Sequence, residues 1–273
     1  MRAANGVWRL ARLGAIAFVL LVIFYLVVPT LIIVPLSFSS QSYFSFPPAG
    51  FSLRWYQEFA ANQDYRRAIV NSLQIGLPAA LLATVAGTLA ALALVRGTLP
   101  FRRLLGALMI APMVLPQIVL ALGLYPIMSS LGLIGTLPAI VLAHAVVTMP
   151  LVFITVSAAL KAYQPSLEMA AMTLGASGWK TFLHITFPLI RPGMIIGFIF
   201  AFTFSFDELI LAIFLTSPTT RTVPRLLWEQ LNYQVTPVIA AATVVLLGAT
   251  VVLLLISAIV HRWAQRKTAR IDS

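Results

Sequence analysis

Six stretches of the chain are uncharged, or nearly so, over the ~20 residues that a helix needs to cross a bilayer. They are Gly14–Leu36, Ala68–Val95, Leu104–Ile127, Leu137–Leu160, Gly193–Leu215 and Pro237–Val260. Hydrocarbon offers no partner to a backbone amide, so a stretch this long must pair its own N–H and C=O groups as a helix. A barrel strand would be about half as long and would alternate in polarity. The pattern predicts an all-α integral membrane protein with six transmembrane helices. Only 9% of the residues are charged, against ~25% in a soluble domain, which leaves too little charge to coat a separate water-facing globule. Residues 1–273 therefore read as a single transmembrane domain.

Charge placement sets the expected orientation. Arg2, Arg9, Arg12, Arg96, Arg102, Arg103, Lys161, Lys180, Arg191, Arg262, Arg266, Lys267 and Arg270 flank one side of the spans; Arg54, Arg66, Arg67, Arg221 and Arg225 flank the other. Lys and Arg gather on the cytoplasmic side, so both termini are expected in the cytoplasm. The formal net charge of +11 then reads as a topology signal facing anionic lipid. It does not read as a nucleic-acid surface, which needs its basic residues clustered on a soluble face. The absence of cysteine excludes disulfides, thiolate metal sites and cysteine nucleophiles. No histidine pair has metal-ligand spacing, and no metal site is expected. The first apolar stretch follows basic residues, as a signal peptide would. It outlasts a signal's apolar segment and no small-x-small cleavage site follows it, so it reads as a retained helix.

Two connections are too long for simple turns, and loops of that length tend to carry function. One is the outer segment 37–67, whose Tyr43, Phe44, Phe46, Phe51, Trp55, Tyr56 and Phe59 suit either a contact with an extracytoplasmic protein or an interfacial belt. The other is the cytoplasmic segment 161–192. There Pro165 suits the first turn of a helix, Glu168 its positive end and Gly175 its stop. The expected short helix carries Leu167, Ala170, Ala171 and Leu174 on one face. A second short helix is expected to start on a Ser177 cap, run through Ile185 and end at Pro188. A small-residue apolar face outside the membrane fits a groove in a partner. A helix lying on the lipid surface would carry more basic residues and bulkier anchors.

The same loop resembles the signature of binding-protein-dependent ABC importer permeases of the MetI-like type. That signature is Glu-Ala-Ala, three residues, Gly, nine residues, Ile, one residue and Leu-Pro. Here it runs Met169-Ala170-Ala171, Gly175, Ile185 and Phe187-Pro188 with the spacing kept. Met169 stands in the place of the family's Glu and Phe187 in that of its Leu, while Glu168 supplies an acid one residue early. The resemblance implies the MetI-like permease fold in a bacterial inner membrane. It implies that the loop is a coupling helix docking in a cleft of a separate ATP-binding subunit, with Glu168, Met169, Ala170, Ala171, Gly175, Ala176 and Gly178 as its coupling residues. It implies as partners a second homologous permease, two ABC ATPase subunits and an extracytoplasmic solute-binding protein. No Gly-x-x-x-x-Gly-Lys-Ser/Thr loop occurs in the chain, so it is expected to bind no cofactor and to be no enzyme itself, ATP being used by the ATPase partners. Ser205-Phe206-Asp207-Glu208, Thr216-Ser217-Pro218, Thr222-Val223-Pro224 and Thr236-Pro237 are similar to the second permease of spermidine/putrescine systems. That likeness implies a polyamine or a related small organic solute.

Ionisable residues within a span are costly and mark function or pairing. Asp207 and Glu208 in the fifth span suit two roles: a cation-attracting lining of the solute path, or bonds to a neighbouring helix, to His144 for instance, or to the second permease. Successive residues diverge by ~100° on a helix, so the two carboxylates cannot share one face. His144 in the fourth span suits packing or a gate. Gln117 follows the proline-rich Ala111-Pro112-Met113-Val114-Leu115-Pro116 of the third span, a candidate pore-lining kink. The alternative to an ATP-driven importer is a secondary transporter running on an ion gradient. Such proteins often show inverted repeats and matched broken helices, which the sequence does not display. A membrane enzyme would need a nucleophile with a placed base, and none is apparent.

Overall fold

The computed structural model describes residues 2–233 and 235–269, with side chains over 12–233 and 235–259. The side chains of Arg2, Arg9, His261, Arg262, Arg266, Lys267 and Arg270 fall outside the described residues. Among the described residues twelve α-helices follow one another: α1 (Arg2–Ser37), α2 (Arg54–Ala61), α3 (Gln63–Val95), α4 (Arg102–Val114), α5 (Gln117–Ser130), α6 (Leu137–Lys161), α7 (Ser166–Thr173), α8 (Gly178–Thr181), α9 (Phe187–Asp207), α10 (Ile210–Leu215), α11 (Val223–Tyr233) and α12 (Pro237–Ala269). A π-helical turn, Phe182–Thr186, joins α8 to α9. No strand occurs among the described residues, in keeping with the expected all-α class.

Among the described residues five apolar segments are long enough to cross a membrane, and a sixth span exists if the bent pair α4 and α5 is one crossing. That pair departs from the expectation of a continuous helix over Leu104–Ile127, because its two halves meet at 102°. The cause is local. Pro116 has no N–H to give and forces Leu115 before it out of the helical region, to φ −68°, ψ 140°. The fifth span differs at both ends. Pro188 does not end a short helix; it lies in the first turn of α9, where a missing N–H is tolerated. The run Gly178–Asp207 thus passes from loop to span through the π turn. At its other end the helix stops at Glu208 (φ −73°, ψ 121°) before α10 begins.

The chain forms two compact units: the part up to Asn62 with Gln230–Gly248, and Gln63–Glu229 with the stretch from Ala249 onward. In the second unit α3, α6 and α9 pack on one another around Ala80, Ala83, Val152, Val156 and Ile190. Lipid tails are as apolar as leucine, so close approach rather than water exclusion holds such helices together, and small residues permit it. A Cβ on Gly197 would lie 2.5 Å from Thr155 Oγ1 and 3.0 Å from Val152 Cα; one on Gly87 would lie 2.9 Å from Val152 Cβ. Ile75, Ala121, Ile140, Ala143, Leu211 and Leu215 form a neighbouring core among α3, α5, α6 and α10. In the first unit Trp55 is buried and donates its indole N–H to the Ser39 carbonyl at 2.7 Å, and Tyr56 shares a 2.7 Å hydroxyl contact with Ser37. Those two rings fold the 37–67 loop onto itself, while Tyr43, Phe46 and Phe51 stay exposed.

Candidate functional site

The 161–192 loop carries the short helix expected of it. α7 opens behind Pro165, with the N–H groups of Glu168 and Met169 both bonded to the Pro165 carbonyl at 3.1 Å. Its far end is a Schellman turn: Ala176 N–H reaches back to Ala171 O and Gly175 N–H to Met172 O, each at 3.0 Å. Gly175 takes φ +89°, which only glycine adopts without strain. Ser177 accepts the Lys180 N–H to start α8, as expected. Leu167, Met169, Met172 and Leu174 are all exposed, so the apolar surface is broader than the four-residue stripe read from spacing. Open space lies beside Gly175 and Gly178.

Glu168 is placed otherwise. Its Oε1 accepts hydrogen bonds from Tyr163 Oη at 2.6 Å and from Thr186 Oγ1, on the π turn, at 2.7 Å. Its Oε2 lies 3.3 Å from Arg96 Nε as an ion pair. Arg96, just past the end of α3, also donates to the Leu160 carbonyl at 2.8 Å and stands 4.6 Å above the Tyr163 ring. Burial pushes the Glu168 carboxyl up, but the Tyr163 and Thr186 hydrogen bonds and the Arg96 charge prevail, and its pKa lies below the usual carboxylate value. The contribution of such a depressed group is complete above the ordinary carboxylate pKa and is lost only as pH falls through the lowered one. Burial, followed by the bond to Glu168, raises the Tyr163 pKa, so the phenol keeps the proton it donates.

Within the span the acidic pair is divided. Asp207 closes α9 with its side chain exposed, whereas Glu208 is buried. The helix break turns Glu208 into a cap: its carboxylate accepts the Leu211 N–H at 2.9 Å and the Ala212 N–H at 3.3 Å at the start of α10. His144 on α6 brings Nε2 to 3.4 Å from Glu208 Oε2, and its Nδ1 meets Ser205 Oγ at 2.7 Å. Glu208 and His144 thus face each other inside the chain and line no surface of it. Gln117 is half-buried at the first position of α5, just beyond the α4–α5 break, and is not hydrogen-bonded to these three. Among the described residues no cluster of three His, Cys, Asp or Glu side chains fits a metal ion.

The family model for the binding-protein-dependent transport system inner membrane component matches residues 83–270. The chain belongs to that family. It is a permease subunit of an ABC importer, and relatives agree. It is 35% identical over 235 residues to the putrescine transport system permease protein PotI of Escherichia coli, covering 82% of each chain. It is 28% identical to the spermidine/putrescine transport system permease protein PotC of Haemophilus influenzae, covering 90% of this chain and 95% of that one. Its fold matches a chain of a bacterial ABC transporter involved in the import of the acidic polysaccharide alginate, with a TM-score of 0.68 at 16% identity over 97% of this chain and 99% of that one. A second structure of an alginate ABC transporter, in complex with an alginate pentasaccharide-bound periplasmic protein, matches with a TM-score of 0.67 at 18% identity, over 94% of this chain and 95% of that one. The likeness is to the MetI-like permease fold.

Three residues of this permease escaped the reading of its sequence. Arg96 counted there only as a topology charge, and Tyr163 and Thr186 attracted no attention. Their one shared signal was position, since each lies where a span meets the loop side. Ser205, within the motif Ser205-Phe206-Asp207-Glu208, was quoted for its resemblance alone and proves to be the partner of His144.

Proposed function

We propose that this permease imports a polyamine, or a related small organic cation, as half of an ATP-driven channel. The other parts are a second permease, two ATPase subunits and an extracytoplasmic binding protein. Both termini and the 161–192 loop face the cytoplasm in this reading, as the distribution of Lys and Arg supports. The observation that carries it is α7: a capped, two-turn helix at the signature position, presenting Met169, Met172 and Leu174 as exposed apolar side chains. Such a surface suits a cleft in a motor protein. ATP-driven closure of the motor moves α7 and shifts the spans between inward- and outward-open populations. The names of the relatives PotI and PotC support the cargo, and an exposed Asp207 at the α9–α10 break supplies a carboxylate for an ammonium group.

Two measurements test this. In proteoliposomes of the whole complex, uptake of labelled putrescine should require ATP, and uptake driven by an ion gradient without ATP would favour the secondary-transport reading. Asp207→Asn removes a charge-assisted hydrogen bond, so putrescine uptake at low substrate should fall roughly tenfold or more. Unchanged uptake would remove Asp207 from the path.

A further inference from the structure

The acidic position of the loop is where this permease departs from its family's signature, and the geometry assigns the two neighbouring residues opposite jobs. Met169 is 57% exposed on the free side of α7. Glu168 is drawn inward and is held from three separate directions: Tyr163 behind the end of α6, Thr186 on the π turn that opens into α9, and Arg96 at the end of α3. Arg96 is fastened in turn to the end of α6 through the Leu160 carbonyl. One carboxylate therefore gathers the ends of the three helices that form the packed centre of this unit.

We propose that Glu168 is the strut by which displacement of α7 reaches α3 and α9, and that it is not a contact made to the ATPase. The inference rests on the docking role of α7 and adds how that motion enters the spans. Peptide connections alone give a loose linkage, because four residues separate α6 from α7 and another four separate α7 from α8. The carboxylate bridges both gaps with short bonds. Thr186 gives the bridge a mechanical purpose. It belongs to the only π turn among the described residues, a wide i→i+5 turn of a kind found frequently at functional sites, and the Glu168 bond ties that turn to α7. Glu168 and Arg96 act here as positioning residues, touching neither solute nor nucleotide.

The experiment uses the complete complex, with Glu168→Gln, Arg96→Met and the double variant. Ala171→Cys, cross-linked to the ATPase subunit, reports docking, and the ATP hydrolysed per solute imported reports transmission. Docking should persist in all three. The ATP-to-solute ratio should rise roughly fivefold in each single variant, the scale of one part-exposed charge pair. The double variant should be no worse than the poorer single, since both remove the same link. Tyr163→Phe, which deletes one hydroxyl and spares the packing, should raise the ratio by a smaller factor. Loss of the cross-link in Glu168→Gln would overturn the proposal by placing the carboxylate at the ATPase. Preserved cross-linking with an unchanged ratio, or single effects that multiply in the double variant, would overturn it as well. Failure of the docking role itself has a separate signature, namely no cross-link from Ala171 in the unaltered background.

Discussion

Gly175 and Gly178 lie three positions apart in the 161–192 loop, and a Cβ on either would meet nothing within 4 Å. Steric crowding within the chain therefore predicts no difference between replacing one and the other. Backbone conformation predicts a large one, since Gly175 sits at φ +89° while Gly178 opens a helix. An alanine held in the left-handed region costs about 1–2 kcal/mol, a factor of roughly 5–30 in the population of the native turn. The turn is at the surface, with Leu174 88% exposed, so packing does little to resist that strain. What opens is the pair of bonds from Ala176 to Ala171 and from Gly175 to Met172. If the ATPase binds the native turn alone, its apparent affinity falls by up to the same factor, because only the competent fraction binds. Titrating purified ATPase subunit onto the detergent-solubilised permease measures this directly. Gly175→Ala should weaken binding within that range, and Gly178→Ala should stay within about twofold of the parent. Equal affinities for Gly175→Ala and the parent would refute the reasoning. Equal weakening by both substitutions would refute it too, pointing to close packing against the partner as the requirement.

Two further outcomes separate structure from transport in the spans. Gly197→Val puts a branched side chain where even a Cβ meets the α6 backbone, so its unfolding midpoint in denaturing detergent should drop by the equivalent of about 1–3 kcal/mol, whereas Gly106→Val, with nothing within 4 Å, should leave it unchanged. His144→Ala strips partners from the buried Glu208 and Ser205 and should destabilise by about 1–3 kcal/mol in the same assay, while Asp207→Ala should stay within about 0.5 kcal/mol. A stable His144→Ala protein that nonetheless fails to transport would place His144 in the path.

The spans were legible because hydrophobicity accumulates over some twenty residues, and no local detail cancels a signal summed that far. Breaks within them were less so. Pro112 and Pro116 announced a disturbance in the third span, yet a single proline commonly kinks a helix without ending it. The 102° bend arises because Pro116 also drives Leu115 into an extended conformation. The ends of α7 were legible for the opposite reason: Pro165 and Gly175 act through their own backbone preferences and need no distant partner. Side-chain direction has no such local cause. Glu168 in a first turn satisfies the helix dipole whichever way it points, and its three partners come together only once α3, α6 and the π turn have packed.

The same limit explains Asp207 and Glu208, and it exposes a common plan. Consecutive residues on a helix were bound to diverge, but which of them turns inward depended on a break at Glu208 that no residue type there foretells. In the loop Glu168 turns in and Met169 out; in the span Glu208 turns in and Asp207 out. In each pair the inward carboxylate meets polar groups from at least two elements and fastens a junction between helices, the α7 junction in one case and the α9–α10 break in the other. The outward neighbour, Met169 or Asp207, is exposed, as the proposed contact with a partner or a solute requires. On the proposed roles, a carboxylate that fastens a junction has to stay bonded throughout the transport cycle, whereas one that handles cargo has to release it. Dividing the two tasks between adjacent positions lets the fastening be strong without making the contact strong.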